Sequence, residues 1–202
     1  MPADVAHAAP ARRLLVAITG ASGAVYGLRL LQCLAATPGI ETHAVVSDAG
    51  WLTLRHELGL GLDDLRPLVH TLHDAAHIGA GPASGSFRCA AMVVAPCSMR
   101  TLAAIAHGLS DSLVTRAADV MLKERRRLVL MARETPLHLI HLRNMVSVTE
   151  MGAIVCPPMP ALYLKPQSVA ELVDASVGRV LDLLNVPHDL SPRWQGLATA
   201  TA

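Results

Sequence analysis

The sequence predicts an α/β fold in which a parallel sheet lies between two layers of helices, and three observations carry that prediction. Short apolar runs, among them RLLVAIT, AMVVA and RLVLMA, alternate along the chain with segments of helical periodicity. The runs are near-continuously apolar instead of alternating, as strands covered on both faces must be. The first run ends directly in a glycine turn, TGASG at 19–23, which opens a helical segment. Strand, tight turn and helix in that order form the unit from which Rossmann-like or flavodoxin-like sheets are wound.

Each element follows from local pattern. RLLVAIT (13–19) reads as a buried strand, and SGAVYGLRLLQCLAA (22–36) as a helix with Val25, Leu28, Leu31 and Leu34 on its apolar face. THAVVS (42–47) is a second strand, residues 48–58 a helix, and AMVVA (91–95) a third strand. MRTLAAIAHG (99–108) and DSLVTRAADVMLKERR (111–126) are helices, followed by the strand RLVLMA (127–132). A helix over 137–150, a short strand at AIVCP (153–157) and an amphipathic helix over 168–184 close the pattern.

A chain of 202 residues, 52% hydrophobic and 16% charged, suits one well-buried domain. We place it at 12–186, after a loose Ala/Pro-rich extension at 1–11 and before a C-terminal tail at 187–202. A formal net charge of +1 gives no global attraction to nucleic acid or to an anionic membrane, so recognition of charge must be local. The apolar stretch MGAIVCPPMPALYL is broken by Pro157, Pro158 and Pro160, and LLVAI behind Arg12 and Arg13 is too short for a signal peptide. The expected setting is the cytoplasm, with Cys33, Cys89, Cys97 and Cys156 as reduced thiols.

The glycine turn presents backbone N–H groups and a positive helix end to an anion. Gly20, Gly23 and Gly27 are spaced GxxGxxxG, which is not the GxGxxG of dinucleotide sites. Neither Tyr26 nor Tyr163 has a lysine four residues on, as a short-chain dehydrogenase would require. The second strand ends in Ser47 where a ribose-binding acid would stand, although Asp48 follows at once. A mononucleotide phosphate is the better match.

Cations cluster locally. Arg116 and Lys123 are seven residues apart and share one helix face, roughly 10 Å apart along the axis. Arg133 and Glu134 follow a strand end, where ligands of parallel sheets sit. Tyr163 lies in a Pro-rich segment, and Arg179 interrupts the last helix. Taken singly, Arg116, Lys123 and Arg179 also suit surface ion pairs, and Arg125–Arg127 a solvated helix end. The pairs His73/His77 and His138/His141 have helical metal-ligand spacing but lack the glutamate and third ligand of a zinc site, so no metal is expected. Asp63-Asp64 begins a DDxxD magnesium motif and then lacks its last aspartate.

The segments TGASGAVYGLRLL, ETHAVVSDAG, PASGSF, PCSMRTLAAIAHG, SLVTRAADVMLKERRRLVLMARETPLHLIHLRNM, GAIVCPPMPALY and PQSVAELVD together resemble the flavin prenyltransferases of the UbiX type, over about residues 13–194. The resemblance implies transfer of a dimethylallyl group from dimethylallyl monophosphate to N5 and C6 of reduced FMN, without a metal. The product, prenylated FMN, would serve a partner decarboxylase of ubiquinone biosynthesis or aromatic acid breakdown. It implies FMN at Gly20, Ala21, Ser22 and Ser47, along Ser98, Met99, Arg100 and Thr101, and at Arg133. It implies the allyl phosphate at Lys123, Tyr163 and Arg179, with Arg116 nearby. Glu57 and Glu134 would be the acidic residues of the pocket, Glu134 relaying a proton and Ser22 orienting the flavin near N5. It further implies homotrimers assembled into dodecamers with active sites between subunits, Trp194 reaching a neighbour.

The chain departs from that pattern at Leu164, where a histidine usually follows the tyrosine, and at IGAG before PASGS, which lacks a tryptophan found in some members. Two alternatives share the fold: a flavin-dependent cysteine decarboxylase, disfavoured because Arg100 replaces the carboxylate-binding asparagine, and a non-catalytic FMN carrier.

Overall fold

The computed structural model describes residues 11–196. Six strands form one sheet: β1 (Arg12–Ile18), β2 (Ile40–Val46), β3 (Thr71–Asp74), β4 (Ala91–Cys97), β5 (Arg127–Ala132) and β6 (Ile154–Val155). All neighbours pair parallel, in the order β3-β2-β1-β4-β5-β6. That is the order of the doubly wound Rossmann arrangement, with its switch point between β1 and β4. Seven α-helices accompany the strands among the described residues: α1 (Ala24–Ala35), α2 (Asp48–Leu58), α3 (Leu62–Leu65), α4 (Met99–Ala106), α5 (Leu113–Lys123), α6 (Leu139–Glu150) and α7 (Val169–Leu183).

Alternation along each strand sorts the core into two layers. Leu14, Val16 and Ile18 of β1 pack with Leu31 and Leu34 of α1, Leu54 of α2 and Val177 and Leu181 of α7. Leu15 and Ala17 face the other way, toward Leu102 of α4, Val114 and Met121 of α5 and Val148 of α6. Helices α5 and α7 therefore cover opposite faces of the sheet. Each fully buried leucine contributes about 1.5–3 kcal/mol relative to exposure, which is why these faces fix the register.

The glycine turn is shaped by two close constraints. Gly23 caps α1 with φ 105°, a left-handed conformation that side chains rarely adopt. Gly27 lets α1 press onto the sheet, since a Cβ there would stand 2.3 Å from the Ala95 carbonyl oxygen. The buried side of α1 is Ala24, Gly27, Leu30, Leu31 and Leu34, so Val25 and Leu28 are less central than the periodicity predicts.

Strand β3 and the short helix α3 are additions to the predicted set, and several elements are shorter than expected. Helix α5 ends at Lys123 because the chain turns there, Arg125 taking φ 54°. The helix expected from 137 begins at Leu139, behind Pro136 and a cap in which His138 Nδ1 accepts from Ile140 N–H. The AIVCP strand contracts to two residues. Residues 1–10 of the expected N-terminal extension and 197–202 of the tail lie outside the described residues. No helix among those described is long and apolar enough to cross a membrane.

Candidate functional site

The chain leaves β1 and β4 in opposite directions, which opens a crevice beyond Ile18 and Cys97. Thr19, buried at its base, joins the two exits: its hydroxyl donates to the Pro96 carbonyl at 2.8 Å and accepts from Ser98 N–H at 2.9 Å. Ser47, Ser98 and Ser112 cap α2, α4 and α5, each accepting a backbone N–H of its own helix, from Gly50, Thr101 and Thr115. These serines line one cavity of about 390 Å³ with Gly20, Thr101 and Thr115. Three helix N-termini thus aim partial positive charge at one volume. The charged side chains on its wall are Asp48, Arg100 and Asp111, one cation against two carboxylates, so an anion is held here by dipoles and hydroxyls more than by salt bridges. The donor set fits a single phosphate.

A larger cavity, about 510 Å³, lies at the opposite, N-terminal end of the strands among Arg12, Arg125, Arg126 and Arg127. Guanidinium groups there already serve the protein: Arg12 donates to the carbonyls of Leu184 and Asn185, and Arg127 to that of Leu183, at the negative end of α7. Arg126 Nη2 likewise donates to the Gly85 carbonyl, although its Nη1 is buried without a partner among the described residues. Ligands of parallel sheets sit at the C-terminal strand ends, so the smaller cavity at the switch point is the functional candidate.

Beside the switch point a second group forms around α1. The Glu57 carboxylate reaches from α2 to the N-terminus of α1, accepting from Gly23 N–H at 3.0 Å and Ala24 N–H at 2.9 Å. Partial burial opposes its charge, but hydrogen bonds from the Ser22 hydroxyl and these two N–H groups, with Arg133 nearby, hold its carboxyl below the ordinary range. Burial raises the Tyr26 hydroxyl, and Arg133 partly offsets that shift. Ser22, Glu57, Tyr26 and Arg133 are therefore neighbours, and Arg133 N–H is tied to the Cys97 carbonyl at 3.1 Å. Cys97 is fully buried, and burial raises its thiol well above the ordinary range.

Tyr163 and Arg179 share a third cavity, about 280 Å³, whose wall includes Trp194. Arg116 and Lys123 lie elsewhere. Arg116 pairs with Asp119 at 2.7 Å and donates to the Ala83 carbonyl, and Lys123 pairs with Glu124 at 2.6 Å. Both stand on α5, across the sheet from α7, so the chain does not bring Lys123 to Tyr163 and Arg179 by itself. Trp194 meets Tyr163 of its own chain edge to face, with centroids 5.4 Å apart. Glu134 is exposed, its carboxylate accepting from Thr135 N–H at 2.9 Å.

Two expected FMN contacts change character. Ala21 is buried with its N–H given to the Thr19 carbonyl at 2.9 Å, and the Met99 side chain packs into the apolar layer. Sequence reasoning missed Thr19, Asp111, Ser112 and Thr115. Ser112 was accessible as a capping serine before a helical run, whereas Thr19 carries no local signal. Neither the pair His73/His77 nor His138/His141 joins a cluster of three potential metal ligands among the described residues.

A doubly wound sheet with an anion seat at its switch point defines a nucleotide-binding α/β protein. Residues 3–181 match the sequence profile of the Flavoprotein family. Flavin prenyltransferase UbiX of Escherichia coli K12 is 51% identical over 187 residues, covering 92% of this chain and 99% of that protein. The crystal structure of AnUbiX in complex with FMN and dimethylallyl pyrophosphate superposes with a TM-score of 0.90 at 49% identity, over 93% of this chain and 99% of the other. A dodecameric FMN-dependent UbiX-like decarboxylase from Escherichia coli O157:H7 gives 0.89 at 47%, over 91% and 100%. The chain belongs to the Flavoprotein family and, within it, to the UbiX-type flavin prenyltransferases.

Proposed function

We propose that this protein transfers the dimethylallyl group of dimethylallyl monophosphate to N5 and C6 of reduced FMN, and passes prenylated FMN to a partner decarboxylase. The observation that carries the reading is the presence on one chain of a single-phosphate seat at the switch point and a separate Tyr163–Arg179 cavity suited to a second phosphate. Reduced FMN supplies the nucleophilic N5 and C6. Gly20, Ser47, Ser98 and Thr101 hold its phosphate, and Arg100, Ser112 and Thr115 complete that wall. Ser22, oriented by Glu57, and Arg133 face the flavin side.

Departure of phosphate from the allylic carbon builds negative charge on the leaving oxygens, which fixed cations and a phenol stabilise without a metal. Tyr163 and Arg179 of one chain meet that charge together with Lys123 and Arg116 of a second, because α5 and α7 lie on opposite sheet faces. The assembly is thus part of the active site, in keeping with the dodecameric relative. Glu134 relays the proton that the new ring releases.

Anaerobic incubation of the pure protein with reduced FMN and dimethylallyl monophosphate, followed by mass spectrometry of the flavin, tests the reading. The expected product is heavier than FMN by one dimethylallyl group. A parallel reaction with the diphosphate, the ligand held by AnUbiX, establishes which ester is used. Unmodified flavin in both reactions overturns the proposal.

A further inference from the structure

Asp182, on the last turn of α7, gathers three side chains that no local pattern links. Its Oδ1 accepts from Arg193 Nη1 at 2.5 Å and from His188 Nε2 at 3.1 Å, while Oδ2 lies 3.9 Å from Arg179 Nη1. The His188 tautomer follows from its surroundings. Leu190 N–H donates to Nδ1 at 3.3 Å, so Nδ1 offers a lone pair and the proton sits on Nε2, facing Asp182. The His188 side chain is 6% exposed and its ring lies over Gly178, where a Cβ would meet Cε1 at 2.9 Å.

Val186 is buried and Leu190 packs on the same apolar layer as α7. Residues 186–194 therefore form a strap folded back across the last helix, and its end places Trp194 against Tyr163. Asp182, Arg179, Tyr163 and Trp194 all face one cavity. The contacts differ in strength. Arg179 is 67% exposed and its contact with Asp182 is long, so solvent screens it and an incoming phosphate displaces it readily. The His188 contact is sheltered, and its loss would leave a buried N–H without an acceptor.

We propose that Asp182 is a positioning residue of the allyl-phosphate pocket: it pins the strap through His188 and Arg193, so that Trp194 stands against Tyr163, and it steers Arg179 toward the same cavity. This rests on the assignment of Tyr163 and Arg179 to the allyl phosphate. It separates two consequences of one carboxylate. Order in the strap needs an acceptor for His188, whereas the aim of Arg179 needs the charge.

Three variants, Asp182→Ala, Asp182→Asn and Arg193→Ala, test it in the FMN-loaded oligomer with Trp51→Phe as background, which leaves Trp194 as the reporting tryptophan. Asp182→Ala should red-shift Trp194 emission and raise KM for dimethylallyl monophosphate by roughly tenfold or more, with FMN affinity within about twofold of the parent. Asp182→Asn keeps an acceptor for His188, so emission should stay near the parent while KM rises roughly threefold to tenfold. Arg193→Ala, at a side chain 59% exposed, should loosen the strap without threatening the fold, moving emission and KM in the same direction by less. Parent activity combined with an unchanged KM in Asp182→Ala, or with FMN affinity falling in step with KM, overturns the proposal alone. A parent protein that forms no prenylated flavin overturns the underlying assignment and this proposal with it.

Discussion

Ser22 and Glu57 show how a small contact at the residue scale organises a site. The serine is exposed on the turn, and its hydroxyl helps to lower the pKa of a carboxylate already committed to the N-terminus of α1. Ser22→Ala removes that hydroxyl and no core packing, so the fold should persist while single-turnover prenyl transfer slows by roughly tenfold to a hundredfold. Unchanged kinetics would release Ser22 from its role. A different residue-scale prediction concerns His43, buried between Glu41 and His73, with Nε2 2.9 Å from Glu41 and Nδ1 3.1 Å from His73 Nε2. Burial lowers the His43 pKa against the pull of Glu41, with Arg13 and His70 adding to the lowering. Burial also lowers His73, with His43 and His77 in the same direction. A depressed histidine binds its proton less well folded than unfolded, so the unfolded chain holds more protons below about pH 6.5 and stability falls as acid is added. The urea midpoint should therefore drop between about pH 7 and pH 5, and His43→Gln should flatten the drop. These histidines were invisible as a pair, because thirty residues separate them and only the β2–β3 pairing brings them together.

At the scale of elements, β1, β2, β4 and β5 were legible because each is a compact apolar run, whereas Ser47 and Ser98 were named as FMN contacts through the family resemblance and their capping role came from the structure. Strand β3 was not: Thr71-Leu72-His73-Asp74 carries one aliphatic residue and exists as an edge strand by pairing to β2. The end of α5 was misjudged because Lys, Glu and Arg continue a helix on propensity, and only Arg125 in a left-handed turn stops it. Helix α7 closes with an opposite device, in which Arg12 from β1 donates to the Leu184 and Asn185 carbonyls beyond its end. A partly exposed cation at a helix C-terminus contributes about 0.3–1 kcal/mol, so Arg12→Ala should lower stability by about that amount. FMN affinity should not change, since Arg12 stands at the N-terminal end of the strands, away from the phosphate seat. A measured loss of FMN binding in this variant would link the two ends.

At the scale of the whole molecule, the sequence offered candidate residues but not their geometry, since spacing along the chain cannot say which face of the sheet a helix covers. The opposite faces taken by α5 and α7 turn the proposed set of phosphate ligands into a statement about assembly. Apolar exposure agrees with it: Leu139, Leu142 and Val146 form a stripe on α6, and Met159, Leu162 and Tyr163 crowd one loop, all at least 46% exposed. Lys123→Ala and Arg179→Ala homo-oligomers should each lose a charge-assisted phosphate contact, lowering kcat/KM for the allyl phosphate by roughly tenfold to 150-fold, with FMN affinity nearly intact. Co-assembly of the two variants separates the possible geometries. Where the Lys123→Ala chain supplies Tyr163 and Arg179 and the Arg179→Ala chain supplies Lys123, the shared site is intact. Random one-to-one assembly makes about a quarter of all sites of this kind, and activity should recover to about a quarter of wild type. A site built within one chain can never be repaired this way, because each chain carries its own defect. Mixed oligomers no more active than either parent would therefore place Lys123 and Arg179 in a site built within one chain and overturn the shared-site geometry.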